Sequence, residues 1–478
     1  MTSDHPGADS SAASTRSLVE QRTIEYIPAD ERHGKPWHVA PVWFTSTSNL
    51  ASLSIGTIGV LSGLGLGWSL LAIVLGSAFG TTFSAFHASQ GPQLGMPQLI
   101  QSRPQYGYRG AVLIYVLSVF TYVGFSVFGL VLMGQALHIL VGTPATVGMI
   151  ISFAVAVTVA AIGYDFVHAM ARWVAWAFLV CFLVITVFGP TSLPGVSVGG
   201  HFEWVLFLAQ AAACASANLA WAPYVSDYTR YLPHMSLKSS FFSTYVGMAV
   251  AAIWIESVAA VIVSAFPGLD IVDSMVEGGD AILPGFGTVM LVLGLIGTLY
   301  LVAMNSYGGS LAVLTIVDSF RPTRSSGAVR AGLGVLIGAV ALLIAVAASN
   351  RVVDAYSTFL TVLLYLLAPW TATNLVDFFW VRRGHYSIRE IFDPRGMYGS
   401  WNWRGYAAYG VSLLCMLPFV DTRWFTGPVA EAWGFDVAPY VGIVAAGAAY
   451  LVFSRSMDLA EERRRIDIVD SGLSKVVQ

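Results

Sequence analysis

The sequence predicts an all-α polytopic membrane protein with twelve transmembrane helices. Its 478 residues are 56% hydrophobic and only 11% charged, where a soluble domain carries about 25% charged residues. Twelve apolar windows, near 41–62, 66–88, 110–140, 143–162, 169–190, 202–226, 239–266, 284–316, 330–349, 352–380, 404–420 and 437–455, can be read as spans; a bilayer-crossing helix needs roughly 20 such residues. With the N-terminus inside, 22 of the 24 basic residues fall in cytoplasmic segments, and only Arg351 and Arg423 fall outside. That asymmetry sets the orientation.

Residues 1–38 are polar, with no apolar core and no small-residue cleavage site, and read as a cytoplasmic tail rather than a signal peptide. Span one and span six each contain an Asn-Leu-Ala step, in Ser48-Asn49-Leu50-Ala51 and Ala217-Asn218-Leu219-Ala220, five spans apart. An odd number of spans per unit inverts the second unit relative to the first, as in transporters built from inverted repeats. Two five-span units over 39–190 and 202–380 follow, with spans eleven and twelve appended over 381–455. Pro267 to Leu283 carries four acidic residues and no base, as an external loop can. Residues 456–478 form a charged cytoplasmic tail, including Glu461-Glu462-Arg463-Arg464-Arg465, that reads as a solvated helix or a disordered segment. Cys181, Cys214 and Cys415 all lie in apolar runs, so neither a disulfide nor a metal site is expected.

The candidate functional residues lie inside the spans. From Trp43 to Gly59, span one places a hydroxyl at nearly every second position. Singly, each is expected to bond back to its own helix; together with Asn49 and two glycines they point to an unwound, cavity-lining segment. Span six is small and polar over 211–220, and Asn218 and Pro223 weaken its helix where freed backbone groups would face a cavity. It ends in Trp221-Ala222-Pro223 and Tyr224 to Pro233, with Asp227 and Arg230 at the polar end. In span three, Tyr122 and Ser126 are four apart and share a helical face, beside Gly124. They can stack on a ring and bind its edge, or they can pack helices. In span eight, Asn305 precedes Gly308-Gly309 and is a candidate ligand or an interhelical tie. Glu256 is the one carboxylate well inside an apolar span, and is a candidate proton carrier unless it sits near the outer interface. His87, His138, Glu203 and Asp377 lie at span ends and are expected at the interface. No HExxH, GxSxG or Walker pattern occurs, so an enzyme is not expected.

Several motifs carry a family resemblance. They are Trp43 with Asn49, Gly95-Met96-Pro97-Gln98 with Ser102-Arg103 and Tyr106-Gly107, and Trp221-Ala222-Pro223 through Pro233. Ala368-Pro369-Trp370 with Asn374-Leu375-Val376-Asp377, and Asn402-Trp403-Arg404-Gly405, complete the set. The chain resembles the nucleobase–cation symporter family, in its purine–cytosine permease branch. The resemblance implies the leucine-transporter-like five-plus-five inverted repeat, with helices one and six broken and alternating access around a midplane site. It implies flat heterocyclic ligands: cytosine, purines, uracil, hydantoins, allantoin or thiamine-precursor pyrimidines. By motif, Tyr122 takes the aromatic place of helix three and Ser126 the polar place one turn on. Asn49 with Ser54 stands for helix one, and Asn305 with Gly309 for helix eight. Asn218 falls where relatives often carry an aromatic, a departure that leaves Trp221 as the alternative stacker.

The resemblance also bears on the ion. Sodium-coupled relatives supply hydroxyls from helix eight just before an Asn, and carbonyls from the break in helix one. If Asn305 is that Asn, the hydroxyl places hold Ala303 and Met304, which offer no oxygen. Proton coupling through Glu256 is therefore expected over sodium coupling. A one-residue shift would bring in Ser306, and Ala51 and Ser54 would then contribute from helix one. The expected function is a proton-coupled symporter that imports a nucleobase-like heterocycle across the inner cell membrane, with both termini cytoplasmic. The partners are that small molecule, a coupling cation and the bilayer; no cofactor and no nucleic acid are expected. The alternatives are sodium-coupled transport of a hydantoin, allantoin or a thiamine-precursor pyrimidine, and a membrane sensor that binds without translocating.

Overall fold

A computed structural model describes residues 25–162, 164–321, 326–348 and 352–470. Helices occupy all twelve windows. Span one is two helices, Val39–Thr47 and Leu50–Leu61, and span six is Trp204–Leu219 followed by the short Val225–Thr229. The uninterrupted spans two, three, seven and eight are Leu66–Leu94, Val112–Val141, Leu237–Ala265 and Phe286–Phe320. Spans four, five and nine are Ala145–Ile162, Tyr164–Ser192 and Gly327–Ala348, and spans ten, eleven and twelve are Val352–Val376, Trp403–Met416 and Ala438–Ser454. Among the described residues, eight helices are long and apolar enough to cross a bilayer, span six being counted across its break. Spans one, four, eleven and twelve are shorter helices.

Among the described residues, the two longest helices outside the spans are Ile271–Ile282 and Leu459–Val469. Ile271–Ile282 forms within the acidic stretch read as a loop, because Asp270 accepts from the amides of Val272 and Asp273 at 2.8 and 2.9 Å. Leu459–Val469 is capped by Asp458 and is bent 81° away from span twelve. The charged tail is thus helical over those residues. Residues 1–24 and 471–478 of the two tails lie outside the described residues, as do Arg324, Arg351 and the side chain of Arg172.

Small residues let the central spans approach closely. A Cβ added at Gly76 or Gly80 of span two would fall 2.2 Å from the carbonyl oxygens of Ala211 and Ala215 in span six. One added at Gly56 in span one would fall 2.1 Å from the backbone oxygen of Glu256 in span seven. Spans one, two, six and seven are therefore held backbone to backbone around the two breaks. Spans three and eight run against each other, Gly129 meeting Val302 and Tyr122 meeting Gly308 and Gly309.

Two of the four ionisable groups at the span ends are enclosed by protein. His87 and Asp377 are fully buried, whereas His138 and Glu203 are exposed. The buried pair is satisfied by a network that links span two, span ten and the intervening loop, described below.

Candidate functional site

The break in span one is built by one side chain. The hydroxyls of Thr45, Ser46, Thr47 and Ser48 all donate to carbonyls four residues back, so the local reading holds for each. The helix nevertheless stops, with Ser48 at ψ 83° and Asn49 fully extended. Asn49 joins the two halves: its Nδ2 donates to Ser46 O at 2.9 Å and its Oδ1 accepts from Ser52 N at 2.9 Å. The freed Leu50 amide donates to Thr298 Oγ1 of span eight at 3.0 Å.

The break in span six has a different cause. Pro223 has no amide hydrogen, and the chain passes through a short 3-10 turn over Ala222–Tyr224 before Val225–Thr229 begins. Trp221 and Tyr224 fill the turn, with ring centroids 5.3 Å apart, and Trp43 of span one lies 5.5 Å from Trp221.

A small cavity lies where the breaks meet. Span one contributes Asn49, Ala51 and Ser52, and span six contributes Asn218, Trp221 and Tyr224. Phe125, Glu256 and Leu301 close it from spans three, seven and eight. Glu256 is 1% exposed. Its Oε2 accepts from Ser77 Oγ at 2.8 Å, and no cation pairs with it among the described residues. One helical turn away, Gln210 ties span six to span one, accepting from Gly59 N at 2.6 Å and donating to Ile55 O at 3.0 Å.

Of the residues singled out from the sequence, Asn49, Ala51, Asn218, Trp221 and Glu256 share this lining. The Asn218 amide is engaged at both ends, by Thr81 Oγ1 and by Cys214 O. Tyr122 sits behind the lining, its ring 5.1 Å from that of Tyr224 and packed on Gly308. Gly309 meets Ile337 and Tyr122 there. Gly129 meets Val302 and Tyr122 meets Gly308, a register that brings Ser126 and Asn305 to the same level. Ser126 Oγ and Asn305 Nδ2 are both buried without a hydrogen-bond partner. Unmet buried polar atoms are rare in folded proteins, so a polar ring edge reaching this layer would find two groups free to bind it. Ser54 bonds back to Leu50 O, and Ser306 bonds back to Val302 O and lines a separate small cavity with Tyr307 and Arg330. Phe125, Tyr224, Ser52 and Leu301 were not singled out, although Ser52, Phe125 and Tyr224 stand inside stretches that were.

The placement of the span-eight oxygen needs correcting. Ala303 and Met304 do not face the break in span one; they pack toward Val159 and Ala160 of span four. Gly297 and Thr298 face it, Gly297 against Ser48 O. Thr298 therefore supplies a hydroxyl at the break, already accepting from Leu50 and donating to Gly294 O at 2.7 Å.

Beyond the cavity, a row of buried amides connects span two to span ten. Gln98 Nε2 donates to His87 Nδ1 at 3.0 Å and to Gln90 Oε1 at 3.3 Å. Gln90 Nε2 donates to Asn374 Oδ1, Asn374 Nδ2 to Gln105 Oε1, and Gln105 Nε2 to Asp377 Oδ2. Arg382, Tyr386 and Tyr450 also donate to Asp377. The His87 ring stacks on Trp370, its centroid 4.7 Å away.

Residues 26–442 match the family described as permeases for cytosine/purines, uracil, thiamine and allantoin. The chain belongs to this permease family. It is 35% identical over 444 residues to the putative purine-cytosine permease YxlA of Bacillus subtilis, covering 91% of this chain and 96% of that one. It is 25% identical over 462 residues to the purine-cytosine permease fcyB of Emericella nidulans, covering 91% of this chain and 88% of that protein. Among solved structures, it resembles the nucleobase-cation-symport-1 family transporter Mhp1 in a closed conformation with bromovinylhydantoin bound. The TM-score there is 0.73 at 18% identity, over 95% of this chain and 100% of that one. The inward-facing conformation of Mhp1 gives 0.74 at 17% identity, over 95% and 98%. This permease is a multi-pass membrane transporter with the leucine-transporter-like five-plus-five fold, not an enzyme.

Proposed function

We propose that this permease is a secondary-active importer of a nucleobase or a related flat heterocycle, driven by protons, in the cell membrane with both termini cytoplasmic. The cavity at the meeting of the two helix breaks carries the reading. It presents aromatic faces, Trp221 and Tyr224, for stacking on a planar ring, and amides, Asn49 and Asn218, for its polar edge. Permeases named for purines and cytosine, aligned along nearly the whole chain, support that substrate class.

Glu256 lies on the same lining, inside a span and without a cationic partner among the described residues. An ionisable group so placed is costly and marks a functional site. Proton and ring would then bind to one cavity, and either would alter the surroundings of the other. Thr298 Oγ1 supports protons over sodium, because an amide hydrogen already points at it. A second reading, a sodium-driven carrier of a hydantoin-like ring, draws on the fold shared with Mhp1 in its bromovinylhydantoin-bound form.

The test is uptake into proteoliposomes. With an imposed proton gradient and no sodium, labelled cytosine or a purine should accumulate. Glu256→Gln should abolish accumulation and retain substrate binding. Accumulation under a sodium gradient at clamped pH would refute the proton reading, and a ligand that binds without counterflow would refute transport.

A further inference from the structure

Six arginines gather where span ten, span twelve and the tail helix Leu459–Val469 meet. Three are paired. Arg382 holds Asp377 and Glu462 at 2.5 and 2.6 Å, Arg464 holds Glu461 at 3.0 Å, and Arg465 reaches Glu390 at 3.4 Å. The other three, Arg383, Arg455 and Arg463, make no ion pair among the described residues, and all three line one open groove. Arg383 is held there by a backbone φ of 53°, a conformation uncommon for a residue with a side chain. Arg463 is held by the tail helix, which Glu462, Arg465 and Asp470 fasten to Arg382, Glu390 and the Ile388 amide.

Apart from Ser454, the rest of the groove is apolar. Trp380, at the end of span ten, is 64% exposed, and Leu451, in the last turn of span twelve, is 42% exposed. Tryptophan concentrates at the boundary between bilayer and water. The tail helix leaves span twelve at 81°, so it runs close to the membrane plane. The groove thus has an apolar wall at the depth of lipid chains and a cationic rim at the depth of headgroups. Guanidinium forks match phosphate oxygens in pairs.

We propose that this groove binds an anionic phospholipid, its headgroup phosphate held by Arg383, Arg455 and Arg463 and an acyl chain lying along Trp380 and Leu451. Basic pockets of this kind on the cytoplasmic side recognise anionic headgroups. The commitment is to a lipid rather than a free anion, because the cationic rim and the apolar wall belong to one groove.

The experiment titrates detergent-purified full-length protein with phosphatidylglycerol, phosphatidylcholine or inorganic phosphate, following thermal stability and lipid adducts by native mass spectrometry. Phosphatidylglycerol should raise the Tm and remain bound; the other two should do neither. Arg383→Gln/Arg455→Gln/Arg463→Gln should weaken phosphatidylglycerol binding about a hundredfold, near fivefold per arginine. Arg463→Gln alone, on the exposed tail helix, should show the fivefold loss even if the triple variant folds poorly. Arg464→Gln, at an ion-paired neighbour, should bind as wild type. Equal stabilisation by inorganic phosphate would overturn the proposal in favour of a free-anion site. Equal stabilisation by phosphatidylcholine would reduce it to ordinary lipid contact, and undiminished phosphatidylglycerol binding by Arg463→Gln would remove the arginines from it.

Discussion

Span one is interrupted at Asn49 by a side chain that bonds to both halves, whereas span six is interrupted around Pro223 by a backbone that lacks a donor. In the first break, the amide satisfies one acceptor and one donor, and the gap is narrow. In the second, no side chain caps the turn, and Trp221 and Tyr224 fill it instead. The repeated Asn-Leu-Ala step suggests that Asn49 and Asn218 are counterparts, yet they act differently. Asn49 is the joint itself. Asn218 is still within its helix and reaches across to Thr81 of span two. One break is therefore a stitched hinge and the other an aromatic wall, and the cavity between them takes its polar edge and its flat face from different halves of the chain.

The largest effect should come from Asn49→Leu. It removes two hydrogen bonds, one of them the helix cap to Ser52 N, which together contribute about 1–3 kcal/mol. The Tm of the purified variant should fall clearly, and Asn49→Asp, which keeps the cap acceptor, should recover part of the loss. An unchanged Tm in the leucine variant would mean that span eight, through Thr298, holds the break instead. Next in size is Trp221→Leu, expected to weaken ring binding about tenfold, or roughly 1.4 kcal/mol, with little change in Tm. Tyr122→Leu should lose less and Tyr122→Phe almost nothing, since Tyr122 lies one layer back. Calorimetry that ranks Tyr122→Leu above Trp221→Leu would move the stacking face to span three. The smallest effect is expected for Asn218→Ala, about 0.5–1.5 kcal/mol, because of its two hydrogen bonds only that from Thr81 crosses to another span, the other closing on Cys214 O of its own helix. A stability loss as large as that of Asn49→Leu would show that the two asparagines are counterparts after all.

The spans and both breaks were legible in the sequence, because hydropathy marks the former and Asn49, Asn218 and Pro223 mark the latter. The permease family was legible in motifs such as Gly95-Met96-Pro97-Gln98, which the structure places beside Asp227: the Gln98 amide donates to its Oδ1 at 2.8 Å. The cavity lining was only partly legible. A helix buried on all sides has no polar face to announce which residues look inward, so Phe125 and Leu301 could not be told from packing residues. The register of span eight against span one was invisible for the same reason, and Thr298 rather than Ala303 or Met304 meets the break. Position within a span also could not show that His87 and Asp377 are enclosed by protein: partners more than 270 residues away, Thr371 for His87 and Gln105 for Asp377, make their burial affordable.

The buried amide row has a grammar that runs in one sense only. An ionised Asp377 can accept but not donate, so Gln105 must turn its nitrogen toward it and offer its oxygen to Asn374. Asn374 is then bound to accept from Gln90, and Gln90 from Gln98. Gln98 has one hydrogen left, which goes to Nδ1 of His87. The imidazole must therefore carry its proton on Nε2 and hand it toward Thr371 Oγ1, 2.6 Å away. A negative charge at the end of span ten thus spells out, amide by amide, which tautomer a histidine in span two adopts. Replacing Asp377 by its amide would leave that sentence readable in either direction.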